Sequence, residues 1–267
     1  MRQDFDRDYI EHELKKIGKV SQPIDFYMLG GGAMSIKGLK AATKDVDGVL
    51  KNSQEFRMLK RILIDLGYFQ VKARGAYDKM KTRLVLQNDD GFRFDLFLKK
   101  IANGLLLSKG MMSRAKTVFS SGNLNVYVMS AEDIFILKSI TSRIRDREDM
   151  RELYTHGLDF DVIKDEIIRQ SDNSTRKAWL SYFFVGLNEF VERYGFEVPY
   201  YSEFEELASE EVLKYRIFTL LESGNLKVKE LVAEISEDKE WIRSVLQKME
   251  KEGKIRIIDD EMICKIE

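Results

Sequence analysis

Two short stretches hold residue types that could do chemistry together. The first runs Leu29-Gly30-Gly31-Gly32 and then Thr43-Lys44-Asp45-Val46-Asp47. Glycines let a backbone approach a ligand closely. A helix starting at them would offer free amides and a partial positive charge to a phosphate. Asp45 and Asp47 are two apart on a predicted strand, so their carboxylates share a face while Val46 points into the core. Such a pair is costly without a cation, and magnesium takes carboxylate and triphosphate oxygens together. The second stretch is Phe92-Arg93-Phe94-Asp95-Leu96-Phe97-Leu98, with Phe92, Phe94, Leu96 and Leu98 alternating onto one face and Asp95 onto the other. If this strand lies beside the first, three carboxylates converge. Asp45, Asp47 and Asp95 could then hold two metal ions (Mg2+ or Mn2+), one at the attacking hydroxyl and one at the leaving pyrophosphate. Asp95, nearest the attacking oxygen, could accept its proton.

The elements that must carry these residues follow from hydrophobic periodicity and breakers. Residues 1–19 read as a charged helix and Ile24 to Leu29 as a strand ending at the glycines. A helix follows over Ala33 to Ala42, then a strand over Asp45 to Leu50, then a helix over Ser53 to Leu66 capped by Ser53. Phe69 to Ala73, Thr82 to Gln87, Phe92 to Leu98 and Leu124 to Met129 read as strands, with Asn88 to Gly91 as a hairpin turn. Ser130 caps a helix over Ala131 to Thr141, and further helices are predicted over Arg145 to Tyr154, 160–170 and 174–194. Residues 195–211, with Gly195, Pro199 and an acidic run, read as a connector. The last segment shows helices over Val212 to Glu222, Lys227 to Ile235 and Glu237 to Glu252, then strands over Lys254 to Ile258 and Met262 to Ile266. Three helices and a ribbon resemble a winged helix.

A glycine pair, an Asp-x-Asp on the next strand and a lone Asp on a later strand form the signature of the DNA polymerase beta nucleotidyltransferase superfamily. A second block, Leu137-Lys138 followed by Arg143-Ile144-Arg145-Asp146-Arg147-Glu148-Asp149, resembles the motif of the abortive-infection nucleotidyltransferase toxins and their uncharacterised bacterial and archaeal relatives. The resemblance covers roughly residues 24–155. It implies an α+β nucleotidyltransferase fold, a mixed sheet flanked by helices, and a nucleoside triphosphate as substrate. It further implies that Lys138 and Asp146 belong to the active site, with Lys138 neutralising triphosphate charge and Asp146 orienting Lys138 or a basic neighbour; Arg143 is a further candidate to balance phosphate charge. Gly31 and Gly32 would cradle phosphate. Ser35, one helical turn on, would assist where much of the superfamily carries a Gly-Ser. The bland alternative for Lys138, Arg143 and Asp146 is helix-surface ion pairing.

The expected organisation is a nucleotidyltransferase domain over 1–155, a helical segment and connector over 156–211, and a winged-helix-like domain over 212–267. Charge is unevenly spread. Residues 1–150 carry 27 Lys/Arg against 19 Asp/Glu, residues 151–211 carry 6 against 14, and residues 212–267 carry 11 against 12. A basic amino-terminal part suits a polyanionic acceptor such as an RNA or tRNA end; a protein hydroxyl or a small molecule also fits the chemistry. Two basic stretches could meet a nucleotide or RNA: Lys72, Arg74, Lys79, Lys81 and Arg83 with Tyr77 among them, and Lys99, Lys100, Lys109, Arg114 and Lys116. A single cysteine, Cys264, permits no internal disulfide and suits the cytoplasm. No apolar run approaches the roughly 20 residues of a membrane span. With only His12 and His156, a His-rich zinc site or a Ser-His-Asp triad is disfavoured. The rival reading is a non-catalytic nucleotide sensor whose winged helix binds DNA or a protein; an antitoxin-like scaffold is a third.

Overall fold

The computed structural model describes residues 3–18, 22–72, 82, 84–102, 104–172, 177–259 and 262–266. Helix α1 (Arg7–Ile17) begins where Asp6 accepts the Tyr9 amide, and it buries Ile10, Leu14 and Ile17. Strand β1 (Ile24–Leu29) runs into α2 (Gly30–Ile36), and β2 (Asp45–Leu50) follows. Helix α3 (Ser53–Asp65) is capped by Asn52, whose side chain accepts the Gln54 and Glu55 amides. The cap therefore sits one residue before the Ser53 expected.

Strands β3 (Phe69–Val71), β4 (Leu84–Gln87), β5 (Arg93–Leu98), β6 (Lys100–Ile101) and β7 (Leu105–Leu106) come next. A short helix α4 (Lys109–Arg114) leads to the hairpin β8 (Lys116–Ser121) and β9 (Leu124–Val128). Helices α5 (Ala131–Ser139), α6 (Ile144–Thr155), α7 (Phe160–Asp172) and α8 (Trp179–Tyr194) complete the larger part. As expected, Ser130 caps α5 by accepting the Asp133 amide.

The main sheet has the order β3-β4-β5-β2-β1-β9-β8, with β6 and β7 continuing from β5. Pairs β2–β5 and β1–β9 are parallel, while β1–β2, β3–β4, β4–β5 and β8–β9 are antiparallel. The fold is thus α+β, a mixed sheet flanked by helices. Strands at its centre are buried on both faces, so they read as near-continuous apolar runs rather than alternating ones. One apolar cluster extends from Phe5 through the sheet to Phe204 and Ala208, and it includes Ile163, Phe183 and Phe190 of α7 and α8.

Two expectations need correction. Helix α2 starts at Gly30 and ends at Ile36, not Ala33 to Ala42. Residues 40–44 instead run as loop, and Thr43 bridges to Phe5. Residues 195–211 are not all connector. Gly195 ends α8 in the left-handed region, and a long helix α9 (Tyr201–Leu221) starts beyond Pro199. Glu203, Glu205, Glu206, Glu210 and Glu211 are good helix formers, and the acidic run lies within that helix rather than in a linker. The short β6, β7, α4 and β8 were not anticipated.

Helices α10 (Val228–Glu234) and α11 (Lys239–Lys251) follow, with a small sheet of order β10-β12-β11 built from β10 (Leu226–Lys227), β11 (Ile255–Ile258) and β12 (Met262–Lys265). These and the second half of α9 share a separate apolar cluster that includes Leu213, Ile217, Ile242, Leu246 and Ile263.

Candidate active site

The register of β2 against β5 decides the site. The strands run parallel with Asp45 opposite Arg93 and Asp47 opposite Asp95. Neighbouring strands lie about 4.8 Å apart, so the three carboxylates share one small region of one face. Arg93 is two residues before Asp95 and therefore joins them. Its guanidinium donates to Asp95 Oδ2 at 2.8 Å and Oδ1 at 3.2 Å, and lies 3.8 Å from Asp45 Oδ2. Asp95 and Arg93 are buried. The sequence reading missed Arg93 as a site residue, although the period of two that placed Asp95 would have found it.

Asp47 differs from its neighbours. Its Oδ1 is shut off from solvent and has no hydrogen-bond partner. Burial, then the charges of Asp45 and Asp95, push its carboxyl well above the usual carboxylate range. Lys138 and Arg143 pull the other way, so both cations stand close enough to be felt.

The glycines stand over this pair. Gly30 adopts φ +66°, and a β-carbon there would collide with Asp47 Oδ2. Gly31 and Gly32 lie in the first turn of α2, where a β-carbon would meet Thr43 Oγ1 at 2.9 Å and Val46 Cγ2 at 3.2 Å. Here the missing side chains let the helix seat against β2 and its approach loop. Thr43 in turn donates to the Asp45 carbonyl at 3.0 Å, holding the start of β2. Ser35 is buried in α2 with its hydroxyl unpartnered.

Beside the carboxylates runs a chain of alternating charges. Lys40 Nζ lies 2.8 Å from Asp149, and Asp149 lies 2.5 Å from Lys138 Nζ. Lys138 lies 2.9 Å from Asp146, which Arg143 meets through Nε at 2.7 Å. Thr141 also donates to Asp146. Burial works against the Lys138 charge, but the charges and hydrogen bonds of Asp146 and Asp149 outweigh it and raise its pKa. Burial likewise opposes the Asp146 charge. Lys138 and Arg143 overcome it and hold that carboxyl below its ordinary range. Lys138 and Asp146 are thus a buried pair, not a surface one. Lys40 had no signal in the sequence, because the loop that carries it is positioned only by the tertiary fold. Arg147 serves the scaffold: it donates to the carbonyl of Lys138 in the last turn of α5 at 2.8 Å and to that of Thr141 just beyond it at 2.6 Å.

The donor set fits a hard divalent cation in part. Asp45 and Asp47 offer adjacent carboxylate oxygens, one of them buried and unpartnered. Asp95 faces the same space but is engaged by Arg93. Among the described residues, no three acidic, histidine or cysteine side chains already surround a common metal position. Of the two basic stretches, Arg74, Lys79, Lys81, Arg83 and Tyr77 lie outside the described residues. Arg114 turns inward, 2.6 Å from Asp133 and 2.8 Å from Glu166, and is not available to a ligand on the surface.

A mixed α+β sheet carrying Asp-x-Asp beside a lone Asp, under a glycine-started helix, is the arrangement of a nucleotidyltransferase. The chain belongs to the family described as nucleotidyltransferase of unknown function (DUF6036), which matches residues 8–194. No curated protein matches the sequence. Among solved structures, a lincosamide antibiotic adenylyltransferase with lincomycin bound is 13% identical with a TM-score of 0.43, covering 57% of this chain and 99% of its own. A putative nucleotidyltransferase from Thermotoga maritima is 14% identical with a TM-score of 0.39, covering 57% of this chain and 96% of its own. No helix among the described residues is long and apolar enough to cross a membrane.

Proposed function

We propose that the chain transfers a nucleoside monophosphate from a nucleoside triphosphate to an acceptor hydroxyl. The acceptor oxygen bonds to the α-phosphorus, and the bond from that phosphorus to the α–β bridging oxygen breaks. Pyrophosphate leaves with the electron pair. The observation that carries this reading is Asp47: a buried, unpartnered carboxylate oxygen beside Asp45 and Asp95, at the glycine-started helix of a nucleotidyltransferase. Such crowding is costly to folding and is retained where a cation and a triphosphate relieve it. Asp45 and Asp47 would hold Mg2+ or Mn2+, with Asp95 as third ligand once Arg93 is drawn to phosphate. The bound ion supplies charge neutralisation at the triphosphate and a more acidic acceptor hydroxyl. Asp95 takes the acceptor proton. Arg143, at one partly exposed end of the charge chain, meets phosphate, and Lys138 sets the potential behind it. Asp146 positions both. Gly31 and Gly32 bring the α2 amides to the triphosphate.

The basic balance of residues 1–150 favours an RNA or tRNA end as acceptor. Growth inhibition or defence is the cellular role that goes with the toxin-like motif. Residues 212–267 are read as a winged helix engaging a nucleic acid or protein partner, with 1–155 and 156–211 as the other two units, in the cytoplasm.

One observation favours the nucleotide-sensor reading. Arg93 already neutralises Asp95, and Lys138 is engaged by two carboxylates. The deciding experiment incubates the protein with each labelled triphosphate, Mg2+ or Mn2+, and total RNA or lysate protein, beside an Asp45→Ala/Asp47→Ala double variant. Label entering RNA or protein with the wild type alone supports transfer and identifies the acceptor. Triphosphate binding without transfer supports the sensor. Neither binding nor transfer sinks both.

A further inference from the structure

A cavity of about 890 Å³ opens at the other end of β2 and β5 from Asp45. Lys51 follows the last residue of β2, and Lys99 follows the last residue of β5. At roughly 3.3 Å per residue, Lys51 lies about 13–20 Å along the strand from Asp47 and Asp45. The cavity is therefore separate from the carboxylate cluster. Its apolar lining is Leu106, Leu107 and Met112. Its charged lining is Lys51, Lys99, Lys109 and Arg169, with no carboxylate among the lining residues.

The walls are built rather than loose. The buried Gln170 side chain accepts the Leu106 amide at 2.9 Å and donates to the Leu106 carbonyl at 2.8 Å, fastening β7 to α7. The Leu107 amide donates to the Lys99 carbonyl at 2.9 Å and closes the β5–β7 loop. Lys51 is offset by Asp25 and Glu55, and Arg169 by Glu166. Lys99 and Lys109 make no ion pair among the described residues, and both are exposed. Lys99 also holds φ +60°, a conformation that a lysine rarely adopts. Glycine or asparagine would relieve that strain, and neither would bring a cation to the cavity mouth.

We propose that this cavity is a second ligand site that takes a nucleotide unit, with its ring against Leu106, Leu107 and Met112 and its phosphates against Lys99 and Lys109. The volume matches small-molecule sites, which run from about 300 to 1,000 Å³. Lys99 and Lys109 favour an anion there, while Lys51 and Arg169 already face Asp25, Glu55 and Glu166. Leu106, Leu107 and Met112 add contact for an apolar group that inorganic phosphate alone lacks. The nucleotide unit could be free or part of an RNA strand. This assignment is independent of transfer at Asp45 and Asp47.

The test measures binding to the full chain in EDTA, using fluorescent ADP and a six-nucleotide RNA bearing a 5′-phosphate. The proteins are wild type, Asp45→Asn/Asp47→Asn, Lys99→Glu/Lys109→Glu and Lys99→Gln/Lys109→Gln, with circular dichroism melts to show that each folds. The expected result is binding by the wild type and the Asp45/Asp47 variant. The Lys99/Lys109 charge reversal should weaken it at least tenfold and the glutamine pair by less. ADP bound as tightly as RNA identifies a free nucleotide; RNA bound at least tenfold tighter identifies a strand. Equal binding by the folded charge reversal and the wild type overturns the proposal, as does loss of binding in the Asp45/Asp47 variant or the absence of binding by any of the four proteins.

Discussion

Asp47 and Asp146 are both buried-side carboxylates of one site, yet their surroundings push them in opposite directions. Asp47 is raised by burial and by Asp45 and Asp95, so the folded state binds a proton there more readily than the unfolded chain does. Its contribution to stability therefore falls as pH rises from about 4, the ordinary carboxylate value, through its raised one. Asp47→Asn should stabilise the metal-free protein at neutral pH by about 1–2 kcal/mol. That advantage should vanish near pH 4; urea melts in EDTA across pH 4–8 check it. Asp146 is the converse. Its lowered pKa means its stabilisation is fully present above about pH 4 and is lost as pH falls through its folded value. Asp146→Asn leaves Lys138 and Arg143 short of a counter-charge and should cost about 3 kcal/mol at pH 7. The gap between variant and wild type should close below pH 4. A gap that stayed constant with pH would mean packing, not charge, is what Asp146 supplies.

At the level of elements, the site depends on a parallel pair and on where one helix stops. The β2–β5 register puts Asp47 opposite Asp95, and a slip of one residue would send Asp95 to the other face. Helix α5 ends where Arg147 collects the carbonyls of Lys138, Ser139 and Thr141. Those groups have no intrahelical partner at a helix end. Arg147→Ala should therefore unfix α5 and with it Lys138. Hydrogen bonds to a charged donor contribute about 1.5–3 kcal/mol, so the melting temperature should fall by several degrees. Triphosphate affinity should drop alongside it, although Arg147 points away from the carboxylates. A thermal shift assay and a titration with ATP and Mg2+ read both. A lowered melt with full affinity would show that Lys138 keeps its place without this anchor.

For the whole molecule, the two apolar clusters make a prediction about independence. Among the described residues, the cluster of Leu213, Ile242 and Ile263 shares α9 alone with the larger part. Burying Ile242 completely means its loss to alanine costs about 2–5 kcal/mol. Ile242→Ala should speed amide exchange across β10–β12, α10 and α11 and leave the strands β1, β2 and β5 protected. Loss of protection in both parts together would show a single cooperative unit.

Much of this was legible in the amino-acid sequence. The strands 24–29 and 45–50, the Asp-x-Asp face and the Asp95 position follow from local rules: a period of two, glycine breaks and turn residues act within a few positions. The same rules placed Ser130 as a cap. They failed where distant parts decide the outcome. Residues 201–211 are helical because α9 packs on α8 and carries into the second cluster, which no local acidic run announces. The glycines of α2 suggested ligand approach, and the fold uses Gly31 and Gly32 to admit Thr43 and Val46. Arg93, Lys40 and the cavity of Lys99 and Lys109 depend on which strand lies beside which and on where loops close. Chemistry that is carried by spacing along one strand is written in the sequence; chemistry that needs two remote segments in contact exists only once the chain has paid the entropy of bringing them together.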